Sequence, residues 1–439
     1  MNAHPLVARI ESAVLARPYG HIRKVAAGYF EASGPACTVG DICRIENDHD
    51  GTSMLAEVAS SDETGLILVP IEQHGTVRPR ARVYGLPLGE RIEVGPGFAG
   101  RAIDALGRPI DDGPAIRAAA TIPASGTVPR PLDRTAQARV ASTGIRAIDG
   151  LLTLAMGQRI GIFAASGVGK TSLLEQLAAQ IECDRCVLCL VGERGREVEG
   201  IWHQLSRRDD MDRFTLVAAT SDESAALRVR SVNTALGLAE YWRDQGEHVV
   251  LVIDSVTRLA MALREIGLAS GEPPTVRAYT PNVFAALPRL VERCGAVRAG
   301  GAITAVMTVL SETDDVDDPI VEVMKSLLDG HIVLSRKMAE RGHFPAIDVP
   351  RSISRQAPRL MSPQHAAAAR EAVAALGAYE EARLLIESGM YKPGASPEID
   401  RAIAMRERLA GFLQQRQDES PTFDDSVSAL RAAISKGAA

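Results

Sequence analysis

The chain has 439 residues, of which 46% are hydrophobic and 24% charged, a composition typical of soluble globular proteins with about two or three domains. Its formal net charge of −6 and its 4% aromatic residues argue against a nucleic-acid partner and against a base-stacking surface. No apolar run approaches the roughly 20 residues of a membrane-spanning helix, and the first residues lack the pattern of a secretion signal. The six cysteines form no disulfide framework, which favours a reducing cytosol.

The chain begins with a predicted helix and a predicted barrel. Within residues 1–19, apolar residues at helical spacing form one face of a short amphipathic helix: Leu6, Val7, Ile10, Val14 and Leu15. This helix either packs on its own domain or docks on a partner. Residues 20–86 contain short apolar segments broken by Gly, Pro and Asp, a pattern that predicts a small antiparallel β-barrel domain.

Residues 87–356 are predicted to form an α/β domain. From about residue 157 hydrophobic runs alternate with helical stretches, as in a parallel sheet that is covered on both faces. The predicted strands are 159–164, 187–191, 214–219, 249–254, 302–310 and 331–335. Residues 357–439 show almost no strand pattern, and their apolar spacing predicts a C-terminal helical domain.

Three cysteines of the α/β domain form a CxxCxxC string that is also found around iron–sulfur clusters: Cys183, Cys186 and Cys189. No fourth cysteine follows at ferredoxin spacing. Cys186 and Cys189 lie in the apolar run CVLCLV, where a strand would point them to opposite faces of the sheet. We therefore expect these two cysteines to be core residues.

The segment GIFAASGVGKTSLL, residues 161–174, predicts a phosphate-binding loop. A strand, a glycine-bearing turn and a helix N-terminus together make an anion site, because free backbone N–H groups and the helix dipole point to one place. Ala164 stands where the strict pattern has glycine, at the end of the strand, where a methyl group is tolerable. Lys170 is expected to reach the β- and γ-phosphates, and the Thr171 hydroxyl to hold Mg²⁺. The residues expected to bind the nucleotide here are Ala165, Ser166, Gly167, Val168, Gly169, Lys170, Thr171 and Ser172.

Carboxylates follow two further predicted strands of the same sheet. VVLVIDS places Asp254 at the end of one strand, where P-loop proteins use an aspartate to hold Mg²⁺. VLCLVGERGREVEG places Glu193 just beyond another strand, and a carboxylate there is expected to act as general base on the attacking water. Glu197 is a further expected metal-site residue, although Arg194, Arg196 and Glu197 also fit a salt-bridged loop. The expected cofactors are ATP and Mg²⁺.

An ordered set of motifs runs along nearly the whole chain: STGIRAIDGLL, GQRIGIFAASGVGKT, GERGREVEG, DSVTRLAMALREIGLASGEPPT, DPIVEVMKSLLDGHIVLSRKMAERGHFPAIDVPRSISR and YKPGASPEIDRAI. This set resembles the catalytic subunits of the rotary ATPase superfamily, and most closely the flagellar and type III secretion export ATPases. The resemblance implies a RecA-like P-loop NTPase core with an N-terminal β-barrel and a C-terminal α-helical bundle. It also accounts for Ala164, since the export branch often has alanine there.

The resemblance implies roles for further residues. Arg355, in SISR, matches the arginine finger that reaches the nucleotide on a neighbouring subunit and acts in catalysis. Phe344, in GHFPAID, matches an aromatic residue that stacks on adenine, and an ordinary core phenylalanine is an equal alternative. A second adenine-side aromatic of F-type subunits aligns near Gln417, so this chain is not expected to make that contact. Arg258, in DSVTR, is expected to be a structural ion-pair partner.

The implied function is Mg-ATP hydrolysis by a homohexamer that energises protein export, with chaperone release and substrate unfolding, at the cytoplasmic face of the inner membrane. The implied partners are a stator or regulator protein at the N-terminal segment, a stalk protein, the export gate and chaperone–substrate complexes. The acidic run at 311–318 is expected to form a solvent loop near the ring interior.

Other members of the superfamily remain alternatives. An F-type subunit should carry an acidic DELSEED-like lever where this chain has YKPGASPEID, and a V-type subunit should carry a long insertion for which residues 86–157 leave no room. The acidic charge and the aromatic-poor barrel argue against a Rho-like RNA translocase. Flagellar and non-flagellar export share the motifs, although GVGKT and GERGREV slightly favour the flagellar branch.

Overall fold

The computed structural model describes residues 18–47, 51–71, 76–86, 91–135, 139–310 and 318–435. Residues 1–17 of the helix predicted over 1–19 and residues 311–317 of the acidic run lie outside these ranges, and Tyr19 begins a strand instead of ending a helix. None of the helices within the ranges combines the length and the apolar composition needed to span a bilayer.

Six antiparallel strands form the amino-terminal domain: β1 (Tyr19–Ala26), β2 (Tyr29–Ala32), β3 (Ile42–Glu46), β4 (Ser53–Asp62), β5 (Gly65–Pro70) and β6 (Arg82–Leu86). They close into a barrel in the order β1-β2-β5-β4-β3-β6, because β6 returns to pair with β1. Alternate apolar side chains point inward, as Met54, Ala56 and Val58 do on β4, and fill the interior. The predicted β-barrel is therefore confirmed.

Three short strands follow the barrel: β7 (Arg91–Val94), β8 (Arg101–Asp104) and β9 (Ala120–Pro123). β7 and β9 pair with each other as a two-stranded ribbon, and Ile92 of this ribbon packs in the same core as the central sheet. β8 forms one edge of that sheet. These strands tie the segment after the barrel to the central domain.

The central domain is a nine-stranded sheet that adds eight strands to β8: β10 (Arg159–Ala164), β11 (Arg185–Glu193), β12 (Phe214–Thr220), β13 (His248–Asp254), β14 (Gly295–Ala296), β15 (Ala302–Leu310), β16 (Gly330–Val333) and β17 (Ile353–Ser354). The strand order is β17-β16-β10-β15-β13-β11-β12-β8, and β14 pairs with β15. All neighbours are parallel except that β14 and β17 run antiparallel to their partners. The carboxyl ends of the parallel strands therefore meet at one edge, where open α/β sheets bind ligands.

Helices cover both faces of the sheet: α1 (Lys170–Gln180), α2 (Gly195–Leu205), α3 (Ala225–Asp244), α4 (Val256–Ala269), α5 (Pro281–Arg293), α6 (Pro319–Leu327) and α7 (Arg336–Glu340). Cys186 packs in the core under α1 and α2, whereas Cys189 packs in the core under α3 and α4. Both are buried, and all six cysteines are free. The prediction that they are core residues on opposite faces is confirmed.

The chain ends in a helical bundle: α8 (Ala357–Leu360), α9 (Pro363–Glu387), α10 (Pro397–Leu413) and α11 (Phe423–Ser435). Ser362 and Ser396 cap α9 and α10, because their hydroxyl groups accept hydrogen bonds from backbone N–H groups of the first turn. Leu409 of α10 and Leu430 of α11 belong to the same hydrophobic core as α1. The bundle therefore packs on the face of the sheet that carries the phosphate-loop helix.

Candidate nucleotide site

The phosphate-binding loop lies between β10 and α1. β10 ends at Ala164, which is 1% exposed and belongs to the same core as Val168. Gly167 and Gly169 have φ angles of 77° and 88°, in the left-handed region that glycine adopts without steric cost. α1 begins at Lys170, so the unpaired N–H groups of its first turn face the loop. Strand, turn and helix are arranged as the sequence predicts.

Three charged side chains meet at the carboxyl edge of the sheet, beside this loop. Lys170 Nζ lies 2.5 Å from Asp254 Oδ1 and 3.7 Å from Glu193 Oε1. Asp254 ends β13 and Glu193 ends the neighbouring β11, so parallel pairing brings both carboxylates to one edge. Asp254 is 3% exposed and Glu193 is 6% exposed. The structure thus brings together three residues that separate sequence motifs predict.

Glu193 lies where proton uptake is favoured. Burial raises the pKa of Glu193 and the charge of Asp254 raises it further, against the opposing charges of Lys170 and Arg258. Arg258 Nε lies 3.2 Å from Glu193 Oε1, so Arg258 forms the ion pair expected of it. Oε1 is buried and accepts no aligned hydrogen bond from any residue that the structure describes, so its capacity to accept one is unused. A carboxylate with a raised pKa is suited to general-base chemistry.

The oxygen atoms beside Lys170 fit a Mg²⁺ ion. This ion is usually held by one or two carboxylates together with substrate phosphates and waters, rather than by a cage of protein ligands. Asp254 supplies a carboxylate in contact with Lys170, and Thr171 supplies a hydroxyl at the next position of α1. Glu197 lies in the first turn of α2, and its charge adds to the rise in the pKa of Glu193.

A buried threonine that no sequence motif indicates completes this cluster. Thr308 on β15 is 0% exposed, and its Oγ1 donates a hydrogen bond to Asp254 Oδ1 at 2.6 Å. β15 lies between β10 and β13, so it carries Thr308 to the place where the loop and Asp254 meet. Nothing in the sequence distinguishes Thr308, because threonine is common in strands and β15 contains two of them.

Phe344 lies at the protein surface beside the phosphate loop. It is 45% exposed, and a Cβ atom added to Gly169 would lie 3.1 Å from its ring atom Cε1. The backbone N–H of Gln415 donates to Phe344 O at 3.0 Å, and Gln417 O accepts a hydrogen bond from Gln180 Nε2 of α1 at 2.9 Å. The core-phenylalanine alternative does not hold, because the ring is half exposed next to the loop.

Arg355 lies near the amino ends of the parallel strands, whereas the phosphate loop lies at their carboxyl ends. It follows Ser354 of β17, which pairs with Gly330 at the start of β16. Its backbone N–H donates to Asp329 O, and the Asp329 carboxylate pairs with Arg159 at the start of β10, whereas the loop follows the end of β10. A strand of this length spans roughly 17 Å. This is longer than an arginine side chain, so Arg355 does not reach the phosphate loop of its own chain.

Comparisons with known proteins agree with this architecture. The ATP synthase alpha/beta family, nucleotide-binding domain, matches residues 144–354, and the T3SS EscN ATPase C-terminal domain matches residues 361–432. The flagellum-specific ATP synthase of Bacillus subtilis (strain 168) is 42% identical over 431 residues, which cover 98% of this chain and 98% of that protein. The chain belongs to the flagellar and type III secretion export ATPases.

Two solved structures show that the similarity of this export ATPase extends over the fold. The assembled ATPase EscN from the enteropathogenic E. coli type III secretion system has a TM-score of 0.89 and 39% identity, covering 95% of this chain and 100% of that chain. EscN in complex with its central stalk EscO has a TM-score of 0.85 and 38% identity, again covering 95% of this chain and 100% of that chain. The predicted family and the predicted RecA-like core with its barrel and bundle are confirmed.

Residues 414–419, which we call the base-side segment, link the C-terminal bundle of the export ATPase to the nucleotide site through hydrogen bonds. Gln180 Nε2 of α1 donates to Glu419 O at 2.9 Å. Arg146 donates to Phe412 O and to Glu419 Oε2, each at 2.9 Å. Arg146 and Phe412 are 266 positions apart, so no local sequence pattern indicates this contact.

Proposed function

We propose that this chain hydrolyses Mg-ATP as a homohexameric export ATPase in which each nucleotide site is shared by two copies of the chain. Lys170 and the backbone N–H groups of residues 165–172 bind the phosphates of ATP. Glu193 receives a proton from the attacking water, and Arg355 of the adjacent copy contacts the γ-phosphate. Phe344 packs against the adenine.

The location of Arg355 carries this proposal. Within one chain the length of β10 separates Arg355 from Lys170, so a single copy holds two halves of two different sites. The Arg355 guanidinium is exposed, and its one hydrogen bond among the described residues is a long contact of 3.5 Å to Lys325 O. Its charge is therefore free for a phosphate on a second copy, where a planar guanidinium suits the developing charge.

The chemistry follows from the residues that face the loop. When bound, Mg²⁺ stabilises negative charge on the β- and γ-phosphate oxygens. Asp254 and Thr171 would hold the ion, with Glu197 nearby. Lys170 exchanges its contact with Asp254 for the phosphates as the nucleotide enters. Glu193, buried with a raised pKa, takes the proton from the water that attacks the γ-phosphate.

The energy is proposed to drive protein export from the cytoplasmic face of the inner membrane, by chaperone release and substrate unfolding. EscN has been solved with its central stalk EscO, which supports a stalk protein as a partner here. A regulator at the N-terminal segment, the export gate and chaperone–substrate complexes are further proposed partners. The chain is 42% identical to a flagellar relative and 39% identical to EscN, so the comparisons favour neither branch of export.

The test is ATP hydrolysis over a range of protein concentrations, for the wild type and for Glu193→Gln and Arg355→Ala, alone and mixed. Specific activity is expected to rise with concentration, because the site forms only between copies. Arg355→Ala alone is expected to lose about 10³-fold or more in kcat, as when arginine fingers are removed, and Glu193→Gln about 10²- to 10⁴-fold, as when a general base is removed. Mixing the two is expected to restore part of the activity, because a mixed ring contains some interfaces with both residues intact.

Arg370→Ala, at an exposed arginine on α9, is the matched control and is expected to keep the wild-type rate. A rate that does not depend on protein concentration, together with a fully active Arg355→Ala, would mean a self-contained monomeric site and would overturn the proposal. Hydrolysis that is stimulated by RNA would instead support the Rho-like alternative.

A further inference from the structure

One oxygen atom of Asp254 is held by two donors. Lys170 Nζ lies 2.5 Å from Asp254 Oδ1, and Thr308 Oγ1 lies 2.6 Å from the same atom. Thr308 Oγ1 also lies 3.4 Å from Ile253 O, but its single proton is directed to the much closer carboxylate. Asp254 Oδ2 accepts neither of these bonds and is the oxygen left for another ligand.

The two donors differ in how firmly they are fixed. Lys170 has a long, flexible side chain that must turn toward the phosphates when a nucleotide binds. Thr308 has a short side chain, is 0% exposed, and lies on β15 in the middle of the sheet, where Met307 pairs with Ile253 of β13. Once Lys170 has left, Thr308 is the one side-chain donor to Asp254 among the described residues.

We propose that Thr308 is a positioning residue, which keeps the Asp254 carboxylate in the orientation that presents Oδ2 to Mg²⁺ after Lys170 has moved to the nucleotide. The proposal rests on the function proposed above. Without the hydroxyl, the carboxylate rotates about its terminal bond. Mg²⁺ then increases the affinity for the nucleotide by a smaller factor. Donors of this kind, which contact a metal ligand and not the metal, typically change metal affinity or activity by about 10- to 100-fold.

The experiment measures the affinity of a fluorescent ATP analogue, methylanthraniloyl-ATP, once with Mg²⁺ and once with EDTA. The ratio of the two dissociation constants reports how strongly Mg²⁺ tightens binding, and it requires no turnover. Thr308→Val keeps the shape and removes the hydroxyl, and it is expected to lower this ratio by about 10-fold or more. Affinity in EDTA is expected to stay at the wild-type value, because the phosphate loop is unchanged. Thr308→Ser restores the donor and is expected to restore the ratio.

Thr304→Val is the matched control. Thr304 lies four positions earlier on β15 and is equally buried, but its hydroxyl pairs with Gly157 N and with His248, at the other end of the strand. This control is expected to keep the wild-type ratio, and a thermal melt of each variant verifies folding. Should Thr308→Val fail to fold, Thr308→Ala makes the same test with a smaller side chain.

The outcomes separate this proposal from the proposed function. An unchanged ratio in folded Thr308→Val, or an equal fall in Thr304→Val, would overturn the positioning role and leave the nucleotide site intact. Lys170→Ala serves as the reference for the site itself, because it removes the phosphate contact. Wild-type affinity of Lys170→Ala in both conditions would mean that the phosphate loop is misassigned, and the proposed function would fail with it.

Discussion

Ala164 shows that a phosphate loop needs glycine only where the backbone or the ligand demands it. Its methyl group is buried, and its backbone continues β10, where Ala164 pairs with Leu310 of β15. The left-handed conformations of the loop fall on Gly167 and Gly169 instead. The alanine therefore belongs to the core of the sheet, and the loop keeps its two necessary glycines.

Replacing Ala164 by glycine tests this assignment. Ala164→Gly removes a packed methyl group and loosens the strand, so it is expected to lower the free energy of unfolding by about 1 kcal/mol. The affinity for the fluorescent ATP analogue is expected to stay unchanged, because residues 165–172 keep their conformation. Chemical denaturation and nucleotide titration of both proteins measure the two effects. Tighter nucleotide binding by Ala164→Gly would contradict the assignment and show that the methyl group limits access to the phosphates.

The residues of the site differ in how far the sequence predicts them. Lys170, Glu193 and Asp254 were predictable, because each follows a hydrophobic strand and the carboxyl ends of parallel strands converge. Thr308 was not, because its role depends on β15 lying between β10 and β13, an order that no local pattern encodes. Arg355 was assigned only through the family resemblance, since its importance depends on which edge of the sheet it occupies.

The strands, like the site residues, differ in how far the sequence predicts them. The predicted runs 159–164 and 302–310 match β10 and β15 residue for residue, since strands buried on both faces are continuous apolar runs. β8 and β17 were not predicted. They have four and two residues, and each exists only because the edge of a distant strand accepts it. Short edge strands depend on tertiary contacts more than on their own composition.

His248, the first residue of β13, links the stability of the sheet to pH. It is 6% exposed, and its Nε2 lies 2.7 Å from Thr304 Oγ1 on β15. Burial lowers the pKa of His248 to about 4, below the value of about 6.5 in an unfolded chain. Between these values the unfolded state binds a proton that the folded state does not. The stability contributed by neutral His248 is thus complete above about pH 6.5 and is lost as the pH falls toward about 4.

His248→Gln removes this titration and keeps a side chain that hydrogen-bonds to Thr304. On going from about pH 7 to about pH 5, the wild type is expected to lose about 2 kcal/mol more free energy of unfolding than the variant. Burial raises the pKa of Asp149 to about 6, so Asp149 also titrates in this range, but it does so in both proteins and cancels in the comparison. Urea denaturation at both pH values makes the measurement. Parallel pH profiles would show that His248 does not set this dependence.

The central domain and the C-terminal bundle are held together around the phosphate-loop helix. The sheet, α1 and the C-terminal helices α10 and α11 share one hydrophobic core, so the bundle is not an independent appendage. Hydrogen bonds at and beside the base-side segment add to this shared core. The backbone N–H of Gln415 donates to Phe344 O, and Arg146 donates to Phe412 O at the end of α10. The pattern of apolar residues along the chain predicts the order of barrel, central domain and bundle. It does not predict which face of the sheet the bundle occupies.

Arg146 joins the central domain to the end of α10 and to the base-side segment. Arg146→Met keeps the length of the side chain but removes donors to Phe412 O, Gln414 O and the Glu419 carboxylate, and the Arg146 side chain is only 20% exposed. The free energy of unfolding is expected to fall by roughly 2–3 kcal/mol, and the KM for ATP to rise, because the base-side segment also holds Phe344. Arg416→Met, which removes an exposed ion pair with Asp418 on the same segment, is the matched control and should change neither quantity. Denaturation and steady-state kinetics of both variants make the measurement. Equal changes in the free energy of unfolding and in KM for the two variants would mean that Arg146 does not hold the bundle to the nucleotide site.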